Sequence, residues 1–311
     1  MINISLKDNK NLYEDYLEAL TFLKDLNSTN FQYPSKITNF HLYSEVTSKK
    51  QLLAVKSFFA TQNLSQTKLI LWSDYDVSKS EILKPFANFI DFKIFDPMEL
   101  SKGTPLEGLN DIILAKDGRH YMQSGLLRFL ALYKMGGIWF DMDMVLLRDL
   151  KPILDQEFAY VWGCNYDDFT FHPISGYKSG PCAAFMGILK ESEHALICLE
   201  ELKKAPIIPN SVSRDCDMLA KVYKQRPFTI FPSAFFNTEW QMNRKYPGLG
   251  DKIQNGWFKK TEYSTNLFLE AFAWHWHNGG GTGFGNLPIE KGSKFDLLND
   301  YVDNKLKIQG I

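Results

Sequence analysis

The sequence predicts an α/β fold in which a mainly parallel sheet is flanked by helices. Short apolar segments alternate with amphipathic ones along the first 150 residues, as parallel strands joined by helical crossovers require. The apolar segments are nearly continuous, which is typical of strands that are buried on both faces. The chain has 311 residues, of which 45% are hydrophobic and 14% aromatic, so it can form the large core that such a domain needs.

The predicted elements of the first half follow in order. Apolar residues at helical spacing predict a helix over residues 10–27, and a strand follows over 36–43. Ser48 begins a helix that extends to residue 61, and a nearly continuous apolar strand over 68–74 ends in a polar tip. Further elements are a helix that begins at Ser78 and carries Leu83, Phe86 and Phe89, a strand over 92–95, a helix that carries Arg128 and a strand after Gly137.

The second half is less regular. It contains predicted strands over 158–162 and 229–231, helices over 189–204, 216–224 and about 294–306, a loop-rich segment over 164–182 and an apolar segment over 267–276. No repeat, low-complexity tract or linker divides the chain. We therefore predict a single domain over 1–311 with two halves, about 30–150 and about 151–311.

Composition narrows the class of protein. The chain has 35 Lys and Arg against 36 Asp and Glu, for a net charge of -1, which argues against a dedicated nucleic-acid binder. The sequence contains no run of about 18 apolar residues, so it predicts no transmembrane segment. The first residues lack the apolar core of a signal peptide, so we expect a soluble, cytoplasmic protein. Cysteines occur at 164, 182, 198 and 216 without a Cys-x-x-Cys spacing, so we expect buried reduced thiols rather than a zinc cluster.

The segment over residues 124–143 carries the most specific motif. It reads as an amphipathic helix, two glycines and an apolar strand that carries Asp141 and Asp143, and the alternative is that the two aspartates are turn or cap residues beyond the strand. Because strand side chains alternate between faces, the two carboxylates are expected to point the same way. Burying an isolated carboxylate costs several kcal/mol or more, so the pair needs a cation. A hard divalent ion is the expected partner.

The spacing within this segment also carries a family resemblance. Arg128, Leu132, Gly136-Gly137 and Asp141-Met142-Asp143 follow one another with three residues between each. This pattern resembles the sugar-nucleotide-binding region of DXD-motif glycosyltransferases, above all glycosyltransferase family 32 and the clostridial-toxin type. The resemblance implies a Rossmann-like GT-A fold, with the nucleotide sugar bound by residues of about 30–150 and the acceptor by about 151–311.

The resemblance also implies roles for individual residues. Asp143 would bind Mn²⁺ or Mg²⁺ directly, and Asp141 would bind it through water or touch the ribose and sugar, as a catalytic residue. Arg128, on the same helix face as Ser124, would hold donor oxygens and assist catalysis. Relatives have an aspartate after this serine that holds hydroxyls of the transferred sugar, where the present chain has Gly125. A deoxysugar, a pentose or a differently held hexose therefore all remain open.

Two histidines near the C-terminus resemble the late histidine element of several DXD transferases. By this resemblance His275 is a third metal ligand, and His277 contacts the diphosphate or replaces His275 as the ligand. The alternative is a hydrogen-bonded core histidine. The glycine-rich run over 279–285 is either a connector or a lid whose N–H groups cradle phosphate.

Other candidates are less specific. His41, Tyr43, Trp72 and Asp74 lie where relatives hold the nucleobase and ribose, or else are ordinary core and strand-tip residues. The segment Asp215-Cys216-Asp217 either caps a helix or resembles the acidic segment near the reacting carbon of some retaining enzymes, with Asp217 as a catalytic residue. Asp167, Asp168, Phe235, Phe236 and Trp240 are further candidates for the acceptor side.

The resulting prediction is a metal-dependent glycosyltransferase, a hexosyl- or pentosyltransferase. It would move a sugar from a nucleoside-diphosphate sugar, with UDP favoured as the nucleotide, to an acceptor hydroxyl on a glycan or glycoconjugate, with retention of anomeric configuration. The alternatives are a metal-dependent phosphohydrolase and a non-catalytic carbohydrate-binding protein.

Overall fold

The computed structural model of the chain describes residues 2, 4, 9, 12, 16–118, 120–161, 181–205, 207, 214–238, 257–262, 264–265, 267–278 and 286–310. The sequence predictions for Cys164, Asp167, Asp168, Trp240 and the glycine-rich run 279–285 lie outside these residues.

Within the described residues, seven strands form one sheet in the order β3-β2-β1-β4-β7-β6-β8. These strands are β1 (Thr38–Tyr43), β2 (Thr67–Ser73), β3 (Ile90–Ile94), β4 (Gly137–Phe140), β6 (Phe158–Val161), β7 (Pro181–Ile188) and β8 (Thr229–Phe231). A second, two-stranded sheet pairs β5 (Met144–Leu146) with β9 (Ala273–His275). Strands β1, β2, β3 and β4 run parallel, β6 and β8 run parallel, and β7 is antiparallel to both of its neighbours.

Helices cover this sheet. They are α1 (Tyr16–Asp25), α2 (Lys49–Thr61), α3 (Pro97–Ser101), α4 (Asn110–Ile113), α5 (Tyr121–Met135), α6 (Glu193–Lys204), α7 (Arg214–Gln225) and α8 (Lys294–Gln309), with 3₁₀ turns at Leu26–Ser28, Lys84–Phe89, Lys151–Ile153 and Ser233–Phe235. Ser48 and Gln51 form a capping box at the start of α2, which is where the sequence predicted a helix to begin. The predicted mainly parallel α/β fold is confirmed.

Two predicted helices differ in the structure. The helix expected from Ser78 is only the 3₁₀ turn Lys84–Phe89, because Pro85 lies in its first turn and cannot continue hydrogen bonding from a preceding helix. Phe89, expected on the apolar face, is exposed. Helix α6 begins at Glu193 rather than residue 189, since the Ser192 hydroxyl accepts a hydrogen bond from the Ala195 N–H and caps the helix there.

Gly136 and Gly137 bring the chain from α5 into β4. Their φ angles are +64° and +110°, which favour glycine. A Cβ on Gly137 would overlap the carbonyl oxygen of Asn39 in β1, and one on Gly136 would lie 2.6 Å from the backbone nitrogen of Lys190. The glycine pair therefore lets α5 return directly into β4, so the start of α5 and the end of β4 lie at the same edge of the sheet.

The core of the second half is aromatic. Phe236 packs against Phe158, Phe185 and Phe272 with ring centroids 4.6–6.1 Å apart. Phe235 and Phe236, considered as an acceptor platform or as core, are fully buried and therefore belong to the core. None of the helices that the structure describes has the length and apolar character needed to cross a membrane.

Candidate functional site

The two aspartates of the motif lie in a turn rather than on a strand. Strand β4 ends at Phe140, and the Met144 N–H donates to the Asp141 carbonyl oxygen at 3.0 Å, which closes the turn. The turn redirects the chain from the main sheet into β5. The expectation that strand alternation orients Asp141 and Asp143 is therefore wrong. Turn geometry and separate partners orient the two side chains instead.

Asp141 belongs to a group of three charged residues, which we call the Arg128 cluster: Arg128, Asp141 and Asp215. The Arg128 guanidinium donates from Nη2 to Asp141 Oδ1 at 2.7 Å and from Nη1 to Asp215 Oδ2 at 2.8 Å. The indole N–H of Trp139 also donates to Asp141 Oδ1 at 2.7 Å. One guanidinium thus joins α5, the turn after β4 and the first turn of α7.

Arg128 is buried, with 6% of its surface exposed. Burial opposes its positive charge, but the two carboxylates outweigh burial and raise its pKa above the usual value. Its guanidinium carbon lies 5.0 Å from the centroid of the Trp139 ring. Its Nε is buried without a hydrogen-bond partner in the structure. Each terminal nitrogen of Arg128 therefore donates to a protein carboxylate, while its Nε has no partner among the described residues.

Asp143 belongs to a second group, which we call the Asp143 cluster: Asp143, His275 and His277. Asp143 Oδ1 lies 3.2 Å from Nε2 of His275, and Oδ2 accepts a hydrogen bond from the backbone N–H of Asn278 at 2.7 Å. The backbone also pairs here, since the Trp276 N–H donates to the Asp143 carbonyl oxygen at 3.0 Å. The pairing of β5 with β9 brings these residues together from positions more than 130 apart in the chain.

The two aspartates have opposite pKa shifts. Burial raises the pKa of Asp141, Arg128 opposes the rise, and the neighbouring charge of Asp143 adds to it. Burial also acts to raise the pKa of Asp143, but the interactions with His275 and the Asn278 N–H are stronger and hold it below its usual value.

His277 has left-handed backbone geometry, with φ of +53°, and follows β9. Its ring centroid lies 3.7 Å from that of His275, so the two imidazoles lie side by side, although β9 ends at His275 and strand alternation therefore does not orient His277. Its Nε2 lies 2.8 Å from Asn237 Oδ1. Burial, and then the neighbouring His275, lower the pKa of His277 well below its usual value, which favours a neutral ring.

The predicted metal ligands are Asp141, Asp143 and His275. In the part of the chain that the structure describes, no three His, Cys, Asp or Glu side chains converge as a preformed metal site. Asp143 and His275 contact each other directly, and Asp141 Oδ1 is engaged by Arg128 and Trp139. The donor types nevertheless suit a divalent ion, since carboxylate oxygens are the ligands that Mg²⁺ and Mn²⁺ prefer and imidazole binds transition metals.

A third polar group lies at the ends of the neighbouring strands. The Tyr43 hydroxyl at the end of β1 donates to Asp74 Oδ1 at 2.6 Å, and Nδ1 of His120 lies 3.6 Å from Asp74 Oδ2. Burial and the hydrogen bond to Asp74 raise the pKa of Tyr43 above its usual value. Since β1 separates β2 from β4, this group lies roughly 10 Å from the end of β4.

His41 does not reach this surface. Its side chain is fully buried, its Nε2 lies 3.0 Å from the Gly136 carbonyl oxygen, and its Nδ1 accepts a hydrogen bond from the Trp72 indole at 3.2 Å. Burial lowers the pKa of His41 to about 4. The prediction that His41 contacts the nucleotide is therefore wrong, and Trp72, which is 4% exposed, is also a core residue.

Two residues near the site were not chosen from the sequence. The contact with Arg128 is made by Asp215, two residues before the predicted Asp217, and residues two apart on a helix face different directions. His120, which precedes α5 with φ of +58°, contacts Asp74. The acidic first turn of α7 was a usable signal for Asp215, whereas no sequence signal marked His120. Ser124 is half-buried one turn before Arg128, as predicted.

A family model matches the first half of the chain. Residues 20–159 match the family model described as "Glycosyltransferase sugar-binding region containing DXD motif". The matched stretch contains Arg128 and both aspartates of the turn, whereas Asp215 and His275 lie beyond it. No curated protein matches the chain at a significant level.

The solved structure of GlyE supports the fold, and two further solved structures align at TM-scores below 0.5. The chain aligns with the glycosyltransferase GlyE of Streptococcus pneumoniae with a TM-score of 0.50 at 10% identity, over 89% of this chain and 64% of GlyE. PaToxG glycosyltransferase aligns at a TM-score of 0.43 and 12% identity, over 96% of this chain and 97% of its own. Mouse xyloside xylosyltransferase 1 aligns at 0.47 and 12%, over 82% and 100%. The resemblance inferred from the 124–143 segment and the GT-A fold are confirmed.

Proposed function

We propose that this chain, a glycosyltransferase with a DXD sugar-binding region and a GT-A fold, transfers a sugar from a nucleoside-diphosphate sugar to a hydroxyl of a glycan or glycoconjugate. UDP is the expected nucleotide. One observation carries the proposal: at the carboxyl end of β4, within the matched region, Arg128 binds Asp141, and Asp143 follows in the same turn. In open α/β sheets, ligands bind at the carboxyl ends of strands.

In this proposal, Asp143, His275 and Asp141 hold Mn²⁺ or Mg²⁺, Asp141 directly or through water. Asp143 and His275 would exchange their contact with each other for contacts with the ion. The carboxylates of Asp143 and Asp141 both remain partly exposed, with 16% of the Asp143 side chain and 30% of the Asp141 side chain accessible. A bound divalent ion supplies positive charge that neutralises the departing diphosphate.

The nucleoside end of the donor is assigned to the Tyr43–Asp74 pair. The Asp74 side chain is 41% exposed and accepts hydrogen bonds, so it can accept one from a ribose hydroxyl. Tyr43 is half-buried at the end of β1, where its ring can stack on a base. The His120 side chain, which is 57% exposed beside Asp74, adds a further polar contact at this end.

For the transfer itself we propose attack of the acceptor hydroxyl on the anomeric carbon from the side of the leaving group, with retention. The new bond joins the acceptor oxygen to this carbon, the bond to the diphosphate oxygen breaks, and the acceptor proton passes to the departing phosphate. Arg128 provides a fixed positive charge beside Asp141. Asp217, half-buried in the first turn of α7, stays a proposed catalytic residue.

A thermal-shift panel tests the proposal. UDP, GDP, CDP and their sugar conjugates are compared with and without Mn²⁺. A ligand at 100 times its Kd stabilises the folded state by about 2.7 kcal/mol, so binding raises the Tm measurably. We expect a Mn²⁺-dependent rise with a uridine nucleotide, absent in Asp143→Ala and retained in the matched control Asp300→Asn on the exposed side of α8.

Two results would contradict the proposal. One is that none of these nucleotides raises the Tm of the protein in the presence of Mn²⁺. The other is release of free sugar or phosphate that exceeds transfer to every acceptor tried, which would favour a phosphohydrolase.

A further inference from the structure

Tyr160 is a buried tyrosine of β6 whose hydroxyl reaches the Asp143 cluster. None of its surface is exposed, and its hydroxyl oxygen lies 3.0 Å from Nδ1 of His275, which is 115 positions away in the chain. The two residues belong to different sheets, since β6 lies in the seven-stranded sheet and β9 in the two-stranded one. The Tyr160 ring packs against Phe236 with the centroids 5.3 Å apart, which fixes the position of the hydroxyl.

The two ring nitrogens of His275 face different partners. Nδ1 faces the Tyr160 hydroxyl, whereas Nε2 lies 3.2 Å from Asp143 Oδ1 and is therefore directed at the aspartate turn. Imidazole binds a metal ion in its neutral form through a nitrogen lone pair, so Nε2 must carry no proton when it binds an ion. The proton of the neutral ring is then on Nδ1, and the group that faces Nδ1 must accept a hydrogen bond.

Tyr160 can accept this hydrogen bond because Cys182 can take its own hydrogen. Cys182 in β7 is the register partner of Tyr160, and its thiol interacts with the Tyr160 hydroxyl. The Cys182 thiol also interacts with the thiol of Cys216 in α7, which provides a partner for the Cys182 S–H. A tyrosine hydroxyl has a single hydrogen, so when this hydrogen points to sulfur the oxygen presents a lone pair to His275.

We propose that Tyr160 is a positioning residue for the divalent ion. Its hydroxyl accepts the Nδ1–H of His275 and thereby holds the Nε2 lone pair towards the aspartate turn, while Cys182 accepts the hydroxyl hydrogen. The inference rests on the proposed function, because the ion is the one that the proposed donor complex needs. Metal-binding histidines almost always donate their second ring N–H to an acceptor, and loss of that acceptor typically weakens metal binding about 10- to 100-fold.

Calorimetry with Mn²⁺, alone and with UDP, measures the effect on metal affinity. Tyr160→Phe keeps the ring and removes the hydroxyl, and it should weaken Mn²⁺ binding by about 10-fold or more. The matched control Tyr16→Phe removes the hydroxyl of another buried tyrosine, in α1, and should leave the affinity unchanged. Cys182→Ala should also weaken binding, whereas Cys182→Ser, which returns an acceptor to the same position, should recover it.

Two further measurements separate positioning from a purely structural role. In a His275→Ala background, Tyr160→Phe should cause no further loss of Mn²⁺ affinity, because the hydroxyl has no imidazole left to hold. Nitrogen NMR of protein labelled with ¹⁵N-histidine, with Cd²⁺ as a diamagnetic stand-in for Mn²⁺, reports which ring nitrogen carries the proton. His275 of the wild-type protein should be protonated at Nδ1 and coordinated at Nε2, a spectrum that tests the inference even if Tyr160→Phe does not fold.

The outcomes separate the two claims. If wild-type protein binds Mn²⁺ neither alone nor with UDP, the proposed function fails and the inference with it. If wild-type protein binds Mn²⁺ and Tyr160→Phe or Cys182→Ala binds it equally well, the inference alone fails. An equal loss from Tyr160→Phe with and without His275 also overturns it, because Tyr160 would then act on the fold. So does a Cd²⁺ complex in which Nε2 of His275 keeps its proton.

Discussion

The Arg128 cluster and the Asp143 cluster differ in how they hold an aspartate. Asp141 and Asp143 are separated by one residue, yet Asp141 pairs with a guanidinium that also binds Asp215, whereas Asp143 pairs with an imidazole and a backbone N–H. The Arg128 guanidinium is always charged and binds two carboxylates at once, whereas His275 and the Asn278 N–H each make one contact with Asp143. The first cluster is therefore a permanent ionic framework, and the second can exchange its contacts.

This difference suggests a division of roles. The Arg128 cluster connects α5, β4 and α7 and contributes to the rigidity of the site. The Asp143 cluster joins the turn after β4 to β9 through a pair whose members both suit a metal ion. Substitutions in the first cluster should affect stability most, and substitutions in the second should affect activity most.

The largest effect is expected from Arg128→Met. It leaves the carboxylates of Asp141 and Asp215 without the guanidinium that neutralises them, and breaking a buried ion pair from one side costs about 3–5 kcal/mol. Urea denaturation measures this loss. The matched control is Arg226→Met, which removes an exposed pair with Glu193 and should cost at most about 1 kcal/mol. A cost for Arg128→Met no larger than the control's would contradict the ionic framework.

The second prediction concerns the Asp143 cluster. Asp143→Ala should lower Mn²⁺-dependent turnover by about 100-fold or more, which corresponds to about 2.7 kcal/mol of transition-state stabilisation, while the fold is retained. His275→Ala should weaken Mn²⁺ or diphosphate affinity, measured by calorimetry. If only His277→Ala weakens it, His277 is the ligand and the choice of His275 is wrong. Unchanged turnover in Asp143→Ala would remove the assignment of the whole cluster.

The third prediction uses His41, a buried imidazole whose contacts are Gly136 and Trp72 rather than a carboxylate. Burial lowers its pKa to about 4 in the folded state, against about 6.5 when unfolded. Between these two pKa values the unfolded state binds more protons than the folded state. The free energy of unfolding that is present above pH 6.5 is therefore lost as pH falls towards 4, by about 1.4 kcal/mol per pH unit.

Urea denaturation at pH 7.0, 6.0 and 5.0 measures this dependence. His41→Gln should reduce the slope of the free energy of unfolding against pH. An unchanged slope in His41→Gln would mean that the pH dependence of stability has another origin.

Much of the fold could be predicted from the sequence. The apolar segments at 36–43 and 68–74 became β1 and β2, and Ser48 began α2, because these features depend on local periodicity and capping. The pairing of His275 with the aspartate turn came from the family resemblance alone. No periodicity relates residues that are 132 positions apart, and only the β5–β9 pairing joins them.

The failures have a common cause. His41 lies on β1, two residues before Tyr43. The alternation of side chains along a strand does not show whether a residue lies at the exposed end of the sheet or is buried within it. The contact between Asp215 and Arg128 was missed because the sequence does not give the rotation of α7 relative to α5. The turn at Asp141 forms where β4 stops pairing with β1, and the conformational preferences of the local residues do not determine that point.

The sequence by itself determined β1, β2, β3, β4, β6 and β8, most of the longer helices, the glycine pair before β4 and the two acidic residues at its end, because each depends on neighbours in the chain. It did not predict β5, β7 or β9. Tertiary structure alone decided which partner each aspartate took and where the carboxylate beside Gly125 came from. By the family resemblance an aspartate is missing at position 125, and the packing of α7 brings the Asp215 carboxylate to the space beside it. Such a substitution across helices depends on distance in space, which no pattern along the chain records.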